Sequence, residues 1–420
     1  MTEPLREIDL ASARAAVARD LSRLHTYFKA TDFGGWDPYD GLESRLFKAT
    51  ALRQSKWARL AMIQGVKRSP WNLRPILGVP RARNPKGIAL CASAFVCQSR
   101  LENSSEHLAN AANLMEWLLQ NRISGYEGDC WGYNFAWQSR SFYAPRGLPN
   151  AICTIFAARA ALDHFDQSRD SHLLELAQGA TRFLIQHLKV EENGELRFRY
   201  IPTADSQVHN VNLLAAALLA RVANRTKNPG LLDVARRAVS FSSRLQRPDG
   251  SWPYGEADNQ CWIDNYHTGF NLLALSEYEL NSQDDSFKDT TKRGYQFWDS
   301  HFSSTDGAPK FYANQLHPVD AHCVAQSIIT LLEFSRSDPE AIKKCLSTYQ
   351  WARAHLQSKD GWFYFQRHTW YTIRTCYTRW AQAWMFLALS RLQMVLASHQ
   401  PQNTVTLGEQ QTLAEGDPRP

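Results

Sequence analysis

A chain of 420 residues with 44% hydrophobic content can bury a large core, as one big domain or two ordinary ones. Charged residues make up 21% and the net charge is +6, spread along the chain, without the Lys/Arg blocks of a nucleic-acid binder. The polar start, Met1 to Asp9, lacks a signal-peptide core, and no apolar run approaches the roughly 20 residues of a membrane helix.

The eight cysteines are scattered without CxxC pairs, as expected of reduced thiols in a soluble cytoplasmic protein. Aromatic content is 12%, with 14 Trp. Such flat apolar faces suit a large core and also sugar stacking.

In chain order, Leu10, Ala13, Val17, Leu21 and Leu24 recur with helical spacing. A turn-rich stretch follows, Gly34 to Gly41, holding Trp36, Asp37, Tyr39 and Asp40. A helix is expected around 50–66, then a basic, Pro-rich connection from Trp71 to Lys86, then helices near 87–101 and 105–121.

From there helix pairs alternate with glycine-aromatic turns. The turn glycines are Gly128, Gly194, Gly250, Gly307 and Gly361, a repeat near 55 residues that fits two helices and two connections. Each turn leads to a helix with a polar start: Asn150, His209-Asn210, Asp264 to His267, Asp320 to His322, and Arg379-Trp380. These helices continue as apolar, small-residue runs, whereas their partners near 170–188, 229–246 and 338–357 are amphipathic. A helix apolar all round is buried and an amphipathic one faces solvent. The alternation predicts an all-α fold, an (α/α)6 toroid of about six hairpins with short β-hairpins at the rim. One domain is expected over 1–399 and a disordered tail over 400–420.

In such a ring the inner helices start at one end, so their polar starts line one cavity, and helix N-termini favour hydroxyl-rich or anionic ligands. Asp264 and His267 lie three apart on one helix face and could form a general acid/base pair; Asp264 could equally be a cap alone. Asp320 and His322 form a second set with the same two readings. The H-x-x-D-x-H spacing from His317 matches no common metal motif, so no metal is expected, and no cofactor.

Candidate substrate-binding residues are Trp36, Asp37 and Asp40; Trp131, Tyr133, Trp137, Arg140 and Asn150; His209 and Asn210; Trp252, Glu256 and Asn265; and Arg379 and Trp380. Rings stack on sugars, and guanidinium grips hydroxyls or a carboxylate. A saccharide or polysaccharide, including an acidic one, is the expected partner. No P-loop, GxGxxG, GxSxG or HExxH is present, which argues against nucleotide- or serine-driven chemistry.

Gln246 to Trp252 resembles the Q-x-x-x-G-x-W phrase of triterpene cyclases and prenyltransferase β-subunits, although the DxDD acid motif is absent. A wider stretch resembles the VpsJ-type proteins of bacterial exopolysaccharide clusters, related to the six-hairpin glycosidase superfamily. It runs from Trp36-Asp-Pro-Tyr-Asp-Gly-Leu42 through Arg83 to Gly87, Trp131 to Arg140, Asp249 to Tyr254 and Ile263 to Gly269, ending at Arg379 to Trp384. The resemblance implies an (α/α)6 toroid with a role in making or modifying a surface polysaccharide. The residues themselves are expected to act on a saccharide by general acid/base chemistry, of hydrolase, lyase or epimerase type. A non-catalytic saccharide-binding or scaffold toroid and a terpenoid cyclase-like or prenyltransferase-like enzyme are the alternatives.

Overall fold

Helices buried on every side alternate along the chain with helices buried on one side, and that alternation decides the architecture. The computed structural model describes residues 10–398 apart from 141 and 305; the expected tail, 400–420, lies outside them.

In chain order the longer helices are α1 (Leu10–Thr31), α2 (Lys56–Arg68), α3 (Pro85–Glu102), α4 (Ser105–Gln120), α5 (Ala151–Ser168), α6 (Ser171–Phe183) and α7 (His209–Thr226). They continue as α8 (Pro229–Arg244), α9 (Asn265–Ser282), α10 (Lys288–Phe302), α11 (Ala321–Glu333), α12 (Ala341–His355) and α13 (Ala383–Ser398). In α7 every residue from His209 to Ala223 is buried. In its partner α8 burial is confined to Ala235, Ala238, Val239, Phe241 and Ser242. The first pattern needs neighbours all round, the second needs one.

The inner ring is α3, α5, α7, α9, α11 and α13, each packed on the next, and α13 closes on α3. Gln98 on α3 donates to Ser390 on α13 at 3.1 Å across that closure. The outer helices are α4, α6, α8, α10, α12 and α1. The chain is an (α/α)6 toroid, and its sixth hairpin joins the two ends of the described chain, α1 with α13. The Tyr349 hydroxyl of α12 donates to Asp20 of α1 at 2.7 Å and fixes the same junction from outside.

The glycine turns are what space the hairpins. All five turn glycines have positive φ, between 78° and 96°, a region that L side chains avoid. A Cβ at Gly250 would run into the backbone of α10, and one at Gly361 into Arg23 of α1. Four of the five turns, at Gly128, Gly250, Gly307 and Gly361, therefore seat directly on the next outer helix, the last one on α1. The tryptophans beside them tie the preceding outer helix: Trp131 Nε1 donates to the Leu118 carbonyl and Trp252 Nε1 to the Ser242 carbonyl, both at 2.9 Å. These are last-turn carbonyls of α4 and α8, which lack a helical partner.

Small antiparallel sheets sit in the connections. They are β1 (Trp137–Gln138) with β2 (Tyr143–Ala144), β3 (Lys189–Glu192) with β4 (Glu195–Phe198), and β5 (Val319–Asp320), β6 (Gln366–Arg367) and β7 (Thr372–Ile373) in one three-stranded sheet.

Candidate functional site

Four inner helices begin on an Asn or Asp whose side chain accepts a backbone N–H. Asn84 accepts from Lys86, Asn150 from Cys153, Asp264 from His267 and Asp320 from His322, at 2.7 to 3.0 Å. Such caps satisfy donors that helix geometry leaves open. They also aim the next residues into the ring.

At that end lies a cavity of about 870 Å³. Of the sequence candidates it brings together Tyr133, Trp137, Arg140, Asn210, Asp264, His267, His322, Arg379 and Trp380. Asp264 Oδ2 meets His267 Nδ1 at 2.6 Å and also accepts from Trp262 Nε1 at 2.9 Å. The Asp264 side chain is fully buried while that of His267 is 18% exposed. A carboxylate on Nδ1 makes that nitrogen the N–H and leaves Nε2 as a proton acceptor. Asp264 is thus both cap and imidazole partner, and the two readings of this residue combine.

His322 is stacked between the Tyr266 ring and the Trp384 ring, each at 4.7 Å. Neither of its ring nitrogens meets a hydrogen-bond partner among the described residues. Burial, with the charges of Lys86 and Arg379 added, holds its pKa well below the usual histidine value, so it is neutral at pH 7. Asn210 Oδ1 is likewise buried and unpartnered.

Asp320 sits one layer back. Its carboxylate accepts from Trp380 Nε1 at 3.0 and 3.2 Å and touches His322 only through the backbone N–H. Burial lifts its pKa to about 7. The expected Asp320–His322 side-chain pair is not formed, because the cap geometry turns the carboxylate toward Trp380.

Other candidates support the wall from behind. Asp37 grips Arg379 in a fork, at 2.6 and 2.8 Å, and points its guanidinium at the Tyr133 ring. Asp40 pairs with Arg74 at 2.6 Å, and Trp36 Nε1 donates to the Val79 carbonyl. His209 and Glu256 make a second imidazole–carboxylate pair at 2.6 Å, outside the cavity wall. Asn265 is fully buried, bonded to the Lys310 carbonyl and to Ser327. Trp131 and Trp252 are core residues fixed to helix ends, and Asn150 is a cap; none of the three reaches the cavity. Their expected sugar contacts are corrected accordingly.

Lys86 and α2 are what sequence reasoning missed. Lys86, 4% exposed, lies at the cavity wall over the rings of Phe156, Trp384 and Phe270 at 4.4, 5.0 and 5.4 Å. It has no ion pair among the described residues, and burial followed by the Arg379 charge holds its pKa well below the ordinary lysine range. The signal was present: Lys86 is the single charge in the first four turns of a helix that is otherwise apolar all round. Helix α2 contributes Lys56, Trp57, Leu60, Gln64, Lys67 and Arg68 as a side wall.

No family model matches the sequence, and no curated protein matches it significantly. Solved structures do. A sugar epimerase from a ruminal bacterium superposes with TM-score 0.63 at 13% identity, over 92% of this chain and 99% of that one. Unsaturated glucuronyl hydrolase from Bacillus sp. GL1 gives 0.58 at 14%, over 90% and 96%. An α-mannanase of family GH76 from Bacteroides thetaiotaomicron gives 0.57 at 15%, over 75% and 88%. The likeness is one of fold. This chain and those proteins share the α/α toroid architecture.

Proposed function

We propose that the chain is an enzyme acting on a saccharide with an acidic group, by imidazole-mediated proton transfer of the epimerase or lyase type. The observation that carries this reading is the make-up of the cavity wall. It holds six Lys/Arg, two imidazoles and, among the described residues, Asp264 as its one carboxylate. Most glycosidases place two carboxyl groups across the scissile bond, roughly 5–10 Å apart. Asp264 has no such counterpart in the wall, and its oxygens are already taken by His267 and Trp262.

In this reading His267 Nε2 takes a proton from a carbon next to the sugar carboxylate, as general base. The electron pair moves into the carboxyl group, where Lys86 and Arg379 meet the charge that develops. Return of a proton to the opposite face gives the epimer; loss of the neighbouring leaving group gives the unsaturated sugar. His322, neutral, offers one N–H and one lone pair to sugar hydroxyls. Tyr133, Trp137, Tyr254, Trp262 and Trp380 offer ring faces.

The fold, shared with a sugar epimerase, a glucuronyl hydrolase and a mannanase, supports a saccharide as the substrate class. The resemblance to VpsJ-type proteins supports a saccharide of bacterial surface-polysaccharide synthesis. A terpenoid cyclase is disfavoured because six cations in the wall would repel a carbocation.

The test is incubation in deuterium oxide with uronate-containing and neutral oligosaccharides, read by proton NMR. Loss of one carbon-bound proton signal from acidic sugars, abolished in His267→Gln, is expected. Release of new reducing ends without exchange would overturn the reading.

A further inference from the structure

The net charge is not spread evenly, contrary to the expectation from composition. Residues 44–83 hold ten Lys/Arg and no Asp or Glu, so against 47 basic and 41 acidic residues in all, the rest of the chain is net negative by four. The structure lays this stretch along the rim, as one-turn helices Arg45–Lys48 and Arg74–Leu77, the turn Ala51–Gln54, and α2. These pieces are contiguous. The two one-turn helices pack together, Ser44 Oγ donates to the Leu77 carbonyl at 2.8 Å, and the Ala51–Gln54 turn packs on both Arg45–Lys48 and α2.

This rim also exposes its large apolar side chains: Leu46 57%, Leu52 59%, Trp57 76%, Trp71 76% and Ile76 78%. Every residue from Lys48 to Trp57 is exposed. Lys48, Arg74 and Arg83 pair with carboxylates. Arg45, Arg53, Lys56, Arg68 and Arg81 are exposed and have no ion pair among the described residues. Aliphatic and Trp side chains standing out of a cationic surface, formed by a segment without Asp or Glu, match a bilayer interface, where apolar tips enter the acyl boundary and cations meet anionic headgroups.

We propose that this face docks the protein on an anionic phospholipid surface. A polysaccharide would be held by ring faces and hydroxyl partners, which leaves exposed Leu46, Leu52 and Ile76 without a role. A second copy would bring like charge against like charge. The face adjoins the cavity, since Lys56, Trp57, Lys67 and Arg68 line it. A saccharide held at a lipid surface would therefore lie at the cavity mouth.

The full chain, co-sedimented with phosphatidylglycerol–phosphatidylcholine vesicles and with phosphatidylcholine alone, decides the matter. Binding to the mixed vesicles only is expected. Arg45→Ser with Arg53→Ser should weaken it about thirtyfold, the effect of two cations near an anionic surface. Trp71→Ser with Ile76→Ser should remove the part that resists salt. All four side chains are exposed, and an unchanged unfolding curve would show that the fold is intact. Absent binding, equal binding to both vesicle types, or retention on polygalacturonate but not on vesicles would overturn the proposal. So would a dimer, in sedimentation velocity, that Trp71→Ser with Ile76→Ser abolishes. Saccharide turnover does not enter this measurement, so either proposal can fail without the other.

Discussion

The two ends of the inner ring treat charge in opposite ways. Near the helix C-termini, Arg221 of α7 meets Asp163 and Asp166 of α5 at 2.6 and 3.1 Å, and Glu277 of α9 at 3.4 Å. Arg225 pairs with Asp166, Arg159 with Glu277, and Ser93 of α3 donates to Asp163. Four inner helices are tied in one network, and every charge in it is answered. Near the helix N-termini, Lys86 lies buried over aromatic rings, His322 and Asn210 Oδ1 have no hydrogen-bond partner among the described residues, and of the six cations that share a wall with one carboxylate only Arg379 is ion-paired among them, by Asp37. Charges that answer one another hold the ring together; charges left unanswered are held there by the ring and await a ligand. Pairing, rather than the presence of ionisable groups, separates scaffold from site.

The largest expected effect comes from removing the proton acceptor at the open end. His267→Gln should lower turnover by two to four orders of magnitude, with the melting temperature little changed because the Asp264 cap on the backbone N–H remains. A variant that turns over normally would remove the site from this end of the ring. At the far end, Arg221→Ala removes a buried guanidinium from the partly exposed Asp163 and Asp166 and should cost about 2–3 kcal/mol in urea unfolding. Substrate affinity measured where the variant is still folded should be unchanged. A loss below about 1 kcal/mol would show that the network is not structural.

Lys86→Met sharpens the contrast, because here a lone buried cation is replaced by an apolar chain among rings. Stability should hold or rise by about 1 kcal/mol, since burying an unpaired charge is unfavourable. Affinity for acidic saccharides should fall about tenfold, as expected for one lost charge-assisted hydrogen bond, and affinity for neutral ones should not. Calorimetric titration of both sugar types distinguishes these outcomes.

The smallest effect is a titration. Asp320, raised to about 7, keeps its proton in the folded chain over a range where the unfolded chain, with a value near 3.9, has lost it. Stability from this residue is therefore lost as pH rises from about 4 to about 7, and Asp320→Asn should flatten that slope. Above pH 7 the variant should be the more stable of the two. Guanidinium unfolding across pH measures it, and an unchanged slope would place the carboxylate in a better-solvated setting.

The ring was legible because its signals are local. Gly250 needs a left-handed backbone, Trp252 caps a spent helix end, and Asp264 precedes an apolar run; each is decided by residues a few positions away. The helix bounds followed where the periodicity was strong: α6 with the turn after it spans 171–188, against an expected 170–188, whereas the helix expected around 50–66 runs from Lys56 to Arg68. The division of labour within the site was not legible. Trp131 and Trp137 carry the same side chain six residues apart, yet one is fully buried in the core and the other lines the cavity. Asp264 and Asp320 are both caps before a histidine, yet only Asp264 reaches the imidazole, while Asp320 is held by Trp380 Nε1, 60 positions along the chain.

The sequence by itself determined the repeat, the alternation of buried and amphipathic helices, and the end of the ring at which the polar helix starts converge. These rest on backbone geometry and hydrophobic periodicity, which act over one or two helical turns. Only the tertiary structure decided which charges meet. Asp37 reaches Arg379 across 342 positions of chain, and Lys86 reaches the rings of α5, α9 and α13. Such pairings depend on how the ring closes on itself, and closure is a property of all six hairpins together rather than of any one.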